Sequence, residues 1–591
     1  MFKKWLNEND VKNFDYSGII YEKASNREFW DEKYSEVYIK NAEKYLNFNW
    51  PIIRATDYIA FRNDGDRVKQ QTPHNAKRIA LIALVIGEVL EYKGRFIPDI
   101  VDGLLNTCEE TFWGISAHYQ HSVHPKLPFG EHYIDLDAAE TGALIAITLY
   151  LLRDELNNYW PNIVEHMEYE LDNRIIKPYL KYNDFCWMTG PRQNNWNPWI
   201  ISNIATVLFL YQERNEDFFK VIEKMLNQIQ IIYDTYFADG GCDEGASYWF
   251  HSGVTIIDFC HSFYSATNGK INFLSNQKIK NIGTYICKAY IGKGMCVNFA
   301  DGSNKLFGSP DIYACGKYIG SQEMMSLSKE IYEINSVNLD YPHIKEPLRN
   351  VLFSNEIKEQ PDISMFEESI LPDIENAFFR SDKWYCAAKG GNNYEGHNHN
   401  DVGSFIVYYD NEPLLVDPGV GVYTKKTFSP ERYTIWTMRS DWHNLPVING
   451  KVQCNGPEFK TDSFSLENKV CNISFANAYT NDANVSSVKR KLILSDNGLE
   501  IIDDFIFSLP QNTVSEHFIT PYDVEITEKG AVINNEFIIS STEKADICVE
   551  EHIFDEEDAP MKANWKSDSI KRIIFKYKFK EKANVSFKLI K

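Results

Sequence analysis

The stretch Gly396-His397-Asn398-His399-Asn400-Asp401-Val402-Gly403-Ser404-Phe405 is where the chain shows both its chemistry and its architecture. His397 and His399 are two apart, so an extended strand would point both imidazoles the same way. Asp417 follows in Leu414-Leu415-Val416-Asp417-Pro418-Gly419, and His443 follows in Trp442-His443-Asn444-Leu445-Pro446-Val447-Ile448-Asn449-Gly450. Imidazole nitrogen and carboxylate oxygen suit a zinc ion, and two His with one Asp make a plausible partial shell. Histidine pairs also occur on the polar face of a sheet, and spacing alone leaves the two readings level.

Downstream of Ile370 the apolar pattern has period two. Trp384 to Lys389, Ser404 to Tyr409, Val488 to Leu494 and Ile573 to Phe579 alternate, with Asn-Gly and Lys-Gly turns between them, which predicts an antiparallel β-sandwich. Upstream, from Arg27 to Glu330, the period is helical. Ala76 to Tyr92, Leu136 to Leu152, Ile200 to Tyr211, Phe218 to Tyr236, Val254 to Ser265 and Ile279 to Ile291 carry i, i+3, i+4 apolar matches. The loops between them are rich in Gly, Pro, Asn and Trp, and the rhythm of helix, aromatic loop, helix predicts an (α/α) toroid. Charge and Pro interrupt both patterns between Glu333 and Pro372, so the expected domains are 1–365, helical, and 366–591, sandwich.

With 591 residues the chain is too long for one core. Its 34 Tyr, 36 Phe and 13 Trp supply both packing and flat rings on which a pyranose can stack. A net charge of −22 argues against nucleic acid and anionic membranes as partners, and no apolar run is long enough to span a bilayer. An acidic sugar stays open, because a local group of Arg, His and amides can reverse the field in one cleft. The eleven cysteines are scattered with no Cys-x-x-Cys pair, which fits a reducing compartment better than a disulfide framework. The start Met1-Phe2-Lys3-Lys4-Trp5-Leu6-Asn7-Glu8 turns polar before an apolar signal region forms. If Met1 is the native start, a cytoplasmic location is expected; if a leader was removed, a periplasmic or secreted one.

Three segments in order, Gly396 to Phe405, Val416 to Tyr423, and His443-Asn444 before Val447-Ile448-Asn449-Gly450, resemble the signature of heparinase II/III-like polysaccharide lyases. The resemblance implies an (α/α) toroid followed by an antiparallel β-sandwich, and cleavage of uronate-containing glycans by β-elimination. It implies that His399, Asp417 and His443 hold one structural zinc ion and that His397 is catalytic. Asp239-Gly240-Gly241-Cys242-Asp243-Glu244-Gly245-Ala246-Ser247-Tyr248-Trp249 is similar to the family loop with its catalytic Tyr, which makes Tyr248 the match. Gly190-Pro191-Arg192-Gln193-Asn194-Asn195-Trp196 offers the amide for the substrate carboxylate, Asn195 ahead of Asn194, with helix capping as the other reading of that Asn pair.

β-Elimination removes the C5 proton of a uronate and expels the C4 oxygen. It needs a neutraliser for the carboxylate, a base at C5 and an acid at O4. A Tyr near its reference pKa of about 10 needs a positive neighbour to act as base, and His397, Arg192, Arg432 and Arg439 are candidates. Tyr423 or Tyr433 is expected to complete the site. Arg192, Asn194, Trp196, Tyr423, Arg439, His118 and Glu244 are the expected substrate contacts. For His118, one of four histidines with His121, His124 and His132, the spacing matches no metal template. For Asp243-Glu244, helix capping is the first reading.

Two other functions compete. A glycoside hydrolase would pair Asp243 or Glu244 with Asp301 as acid and base. A non-catalytic glycan-binding protein would keep the aromatics and the zinc but need neither Tyr248 nor His397. The expected partner is an acidic polysaccharide or oligosaccharide, with no nucleic acid and no membrane, and a homodimer is compatible with the sequence.

Overall fold

The structure, a computed structural model, describes residues 1–121, 132–189, 195–335, 338–424, 426–427 and 429–591, with the side chains of 119–121 outside that description. The chain forms two compact units. One comprises 1–236, 250–283 and 308–362; the other comprises 237–249, 284–307 and 363–591. The expected order of a helical region followed by an antiparallel β region is the order observed. The second unit also takes in two short segments, 237–249 and 284–307, that lie within the helical half of the sequence.

In the helical unit, long helices run over Val68–Glu91, Leu136–Tyr159, Trp196–Tyr211 and Glu216–Thr235. Each overlaps an apolar stripe that is legible in the sequence and begins at or before it. The helix Leu136–Tyr159 starts where Asp135 accepts the Ala138 N–H at 2.8 Å, an N-cap that satisfies an otherwise orphaned donor. It packs on Trp196–Tyr211, and Gly142 permits the closeness of the elements around it. A Cβ there would lie 2.9 Å from Ile175 Cγ1 and 3.4 Å from Val207 Cγ2.

The sandwich unit holds three larger sheets, every strand pair antiparallel. Glu368–Leu371, Asn376–Ser381, Trp384–Lys389, Phe405–Tyr409 and Glu412–Leu415 form a five-stranded sheet in chain order. An eight-stranded sheet centres on Val485–Ser495, Gly498–Phe507 and Lys582–Ile590. A four-stranded sheet runs Asp546–Ile553, Ser569–Phe579, Asn512–Thr520, Pro446–Ile448. Alternate side chains of all three converge on one core that includes Phe405, Leu492, Ile501, Phe518, Phe575 and Phe587. Arg490 crosses that core fully buried, held by Asp503 and Glu516 and by the carbonyls of Gly403 and Asn444. Charge burial of this kind is tolerated only when every donor is answered.

All eleven cysteines are free thiols. Among the described residues no helix is long and apolar enough to cross a membrane.

Two buried histidines make stability depend on pH. Burial pushes His261, stacked on Tyr318 at 3.5 Å, and His517 down to about 4. In the unfolded chain both titrate near 6.5, so between ~6.5 and ~4 the unfolded state binds more protons. Stability is therefore complete above ~6.5 and falls as pH drops toward 4, by up to about 3 kcal/mol for each group. Thermal midpoints measured across that window should decline steadily, and less steeply in His517→Gln. A midpoint flat down to pH ~4 would refute the assignment.

Candidate active site

Two short segments from the helical half of the sequence build one part of the site. Tyr248 lies in the first turn of the helix Ala246–Ala266. Ser247 Oγ accepts the Ser303 N–H at 2.8 Å and so ties that turn to the loop carrying Asp301. The loop is set by a small hairpin, Tyr290–Gly292 with Met295–Cys296, and by the Cys296 N–H donating to Asn304 O at 2.9 Å.

The other part is the segment between Asn392–Asn393 and Phe405–Tyr409. It is a loop and not the extended strand expected from the spacing of its histidines. His397 has φ +54°, a left-handed backbone that is uncommon for a side chain of this size and concentrates at functional sites. The reason is visible in what the loop holds. Both imidazoles converge on one carboxylate, His397 Nδ1 on Asp301 Oδ2 at 2.8 Å and His399 Nε2 on Asp301 Oδ1 at 2.9 Å. The turn at His397 lets residues two apart reach the two oxygens of one Asp.

Asp301 is the hub. Arg432 Nη2 donates to both its oxygens, at 2.9 and 3.1 Å, and the Tyr423 hydroxyl donates to Oδ2 at 2.8 Å. Burial opposes ionisation of Asp301, but the hydrogen bonds from His397 and His399 and the charge of Arg432 outweigh it. They hold the carboxyl far below the usual range. An ionised carboxylate only accepts, so His397 donates from Nδ1 and His399 from Nε2.

Tyr248 closes the constellation. Its ring stacks on His397 with centroids 4.0 Å apart, and its hydroxyl lies 2.6 Å from that of Tyr423. Because Tyr423 gives its proton to Asp301, Tyr248 is the donor of the pair. Burial, then the charges of Asp301 and Glu244, push Tyr248 well above the ordinary tyrosine range, against the pull of Tyr423 and Arg432. Burial and the Asp301 charge raise Tyr423 in the same direction. Tyr248 is thus a neutral phenol, and the lowered value that a tyrosine base needs is not what its surroundings produce.

His399, Asp417 and His443, all fully buried, bring one ligand atom each within 4.8 Å of the others. His443 Nδ1 lies 3.1 Å from Asp417 Oδ2, and its Nε2–H donates to the Thr437 carbonyl at 2.9 Å. His399 Nδ1 is buried with no hydrogen-bond partner. The outer nitrogen of each ring is held by an acceptor, Asp301 for His399 and the Thr437 carbonyl for His443, and His443 turns Nδ1 toward the Asp417 carboxylate. A metal-binding histidine is commonly held by its outer nitrogen in this way, and the buried, unpartnered His399 Nδ1 is a donor that fits a cation.

The remaining expected contacts fall in different places. The Tyr433 hydroxyl accepts from Asn398 Nδ2 at 3.3 Å and is not on Asp301. Arg439 is committed to Asp441 at 2.9 Å. Asp243 Oδ2 accepts the Gly396 N–H at 3.2 Å, and Glu244 packs so close to Gly396 that a Cβ there would lie 2.7 Å from Glu244 Cγ. The acidic pair therefore braces the histidine loop. In the helical unit Asn195 is buried before Trp196–Tyr211 with helical backbone, and its side chain does not cap that helix. Trp196 sets its edge on His118 at 4.7 Å. His118 donates to Asp135 Oδ2 at 2.7 Å. His118, Asp135 and Asp137 also cluster, but the Asp135 oxygens already serve the N–H groups of Ile115 and Ala138. Arg192 and Asn194 lie outside the described residues, as do His124 and the side chain of His121.

Asp301 is the site residue that the sequence marks least, its expected role being half of a hydrolase pair. The one local signal was its setting, Phe299-Ala300-Asp301-Gly302-Ser303-Asn304, a charged turn after an apolar run.

Residues 371–585 match the family model described as heparinase II/III-like, C-terminal. No curated protein matches. Among solved structures the chain is similar to heparinase III, with TM-score 0.65 and 11% identity over 97% of this chain and 88% of that one. It is also similar to heparan sulfate lyase of Pedobacter heparinus, with TM-score 0.59 and 11% identity over 100% of this chain and 87% of that one. Chondroitin AC lyase of Streptomyces coelicolor, as a point mutant, matches with TM-score 0.53 and 11% identity over 100% and 82% of the two chains. At that identity the structures speak for a shared fold, an α/α toroid with a β-sandwich. Residues 371–585 thus resemble a heparinase II/III-like C-terminal domain, in a chain whose fold is similar to that of heparinase III.

Proposed function

We propose that this protein is a polysaccharide lyase that cleaves a uronic-acid-containing glycan, of glycosaminoglycan or alginate type, by β-elimination. The observation that carries the reading is the convergence of His397, Tyr423 and Arg432 on Asp301, with Tyr248 stacked on His397 and bonded to Tyr423. His397 has its Nδ1–H committed to Asp301, so the neutral ring carries its lone pair on Nε2, the form required of a base for the C5 proton. Tyr248 keeps its proton and supplies it to O4 as the glycosidic bond breaks. Asn195 is the residue to which the resemblance gives the substrate carboxylate. Two of the three proteins matched in structure above, the heparan sulfate lyase and the chondroitin AC lyase, are lyases by name, which supports the same class.

His399 Nδ1, Asp417 and His443 Nδ1 suit a zinc ion in donor type. When bound it would brace the loops carrying Asp417 and His443, and no proton transfer is assigned to it. The rival hydrolase pairing fits poorly. Asp301 is fully buried, saturated with donors and held ionised, so it has no proton to give a leaving group.

The deciding experiment incubates the protein with hyaluronan, chondroitin, heparan and alginate fragments and follows the ultraviolet absorbance of the C4–C5 double bond. Growth of that absorbance in step with new reducing ends is expected. Reducing ends without absorbance would mean hydrolysis; no change with any uronate polymer would favour a binding protein.

A further inference from the structure

We infer that residues 554–568 are a positioning buttress for the site, acting through Asp558 and Trp565; the inference rests on the lyase reading above. Strands Asp546–Ile553 and Ser569–Phe579 pair up to Ile553 opposite Ser569, and a hairpin loop of about two to five residues would join them. The chain instead leaves the sheet for a longer excursion that includes the helix Ala559–Trp565.

Its inward groups reach two loops. On the loop running from Asp417 to Tyr423, the Trp565 indole N–H donates to the Pro418 carbonyl at 3.0 Å, and the Val422 N–H donates to the Glu557 carbonyl at 2.7 Å. Contact is so close at Gly421 that a Cβ would lie 2.5 Å from that Glu557 oxygen. On the loop running from Arg432 to Met438, the Trp436 indole N–H donates to Asp558 Oδ1 at 3.2 Å, while Asp558 Oδ2 receives His552 Nε2 at 2.8 Å. Asp558 is 4% exposed. The excursion also seals a small core of its own, Met561, Trp565 and Ile570 with Val416 and Ile519, against which Trp436 packs.

These are the two loops that present Tyr423 and Arg432 to Asp301, and Thr437, next to Trp436, holds the outer nitrogen of His443. Loops carrying functional groups need an external hold of this kind, because neither is in a strand. Asp558 and Trp565 touch no reacting atom; they act through Tyr423 and Arg432.

The test compares the wild type with Asp558→Ala, Asp558→Asn and Trp565→Phe. Hydrogen exchange is read in 417–424 and 432–438, along with kcat, KM and thermal midpoint on whichever uronate polymer the wild type cleaves. Expected for Asp558→Ala and Trp565→Phe is faster exchange confined to those two segments, with kcat down about tenfold or more and KM moving less than about threefold. Asp558→Asn, which can still accept the Trp436 N–H, should recover part of both. Unchanged exchange in both loops would overturn the buttress, as would faster exchange with wild-type kcat. If the wild type makes no unsaturated product, the lyase reading fails, and the exchange data still decide whether 554–568 holds the loops.

Discussion

Asp301→Asn is expected to lower kcat by about four orders of magnitude while the chain stays folded. The replacement has the same shape but only one acceptor oxygen and two N–H donors. In the wild type His397 Nδ1, His399 Nε2, Tyr423 and Arg432 all donate to this carboxylate. The amide must therefore turn donors toward donors on one side. If it faces His397, the ring escapes by moving its proton to Nε2, which removes the lone pair that the proposed mechanism uses at C5. Loss of the orienting carboxylate behind a histidine base costs about 10⁴ in the serine-protease triad for the same reason. If it faces His399, the outer hold on that ring is lost, and if His399 ligates the proposed zinc ion, metal affinity should fall by about 10- to 100-fold. Asp301→Ala is the harsher change. It strands the Arg432 charge, whose side chain is 13% exposed, at a cost of about 3–5 kcal/mol. Turnover, metal per chain and thermal midpoint together separate these effects. An Asp301→Asn protein within tenfold of wild-type kcat would remove Asp301 from the mechanism.

Why so central a residue was hard to see in the sequence is a matter of what periodicity encodes. The two halves were legible because apolar spacing follows the period of the element that buries it. The stripe from Ala76 became part of the helix Val68–Glu91, which stops one residue short of Tyr92, and the alternation around Val488 became the strand Val485–Ser495. The gathering of His399, Asp417 and His443 was implied by the family resemblance, because residue type and spacing alone left a metal site and a polar sheet face level. Asp301 has no such label. It is a single carboxylate some 96 positions from His397, and its role exists only once 284–307 folds into the sandwich unit. The loop geometry was hidden for another reason. Period two implies a strand only when the backbone is extended, and nothing in Gly396 to Asp401 announces that His397 turns left-handed. The buttress residues were equally silent, because Asp558 and Trp565 look like an ordinary helix start and an ordinary apolar anchor.

Tyr248→Phe is the second large loss, about three orders of magnitude in kcat, within the range general acid catalysis supplies. It differs from Asp301→Asn in what it spares. The substitution removes one hydroxyl and keeps the ring that stacks on His397, so the fold and the metal content should match the wild type. Tyr423 loses the proton it accepts from Tyr248 but keeps its own bond to Asp301. KM should therefore stay within a few-fold, since the missing interaction belongs to the transition state and not to substrate binding. Assigning Tyr248 as acid, with His397 as base, has a consequence that a base assignment for Tyr248 does not share. A uronide with fluoride at C4 leaves without needing a proton, so an enzyme lacking its acid should recover most of its rate on that substrate. On such a fluoride Tyr248→Phe should come within about tenfold of the wild type, because the remaining work is removal of the C5 proton. His397→Ala should stay crippled on it. If Tyr248→Phe loses as much on the fluoride as on the natural linkage, the phenol removes the C5 proton. The elevation of Tyr248 by burial and by Asp301 would then have to be reversed when substrate binds.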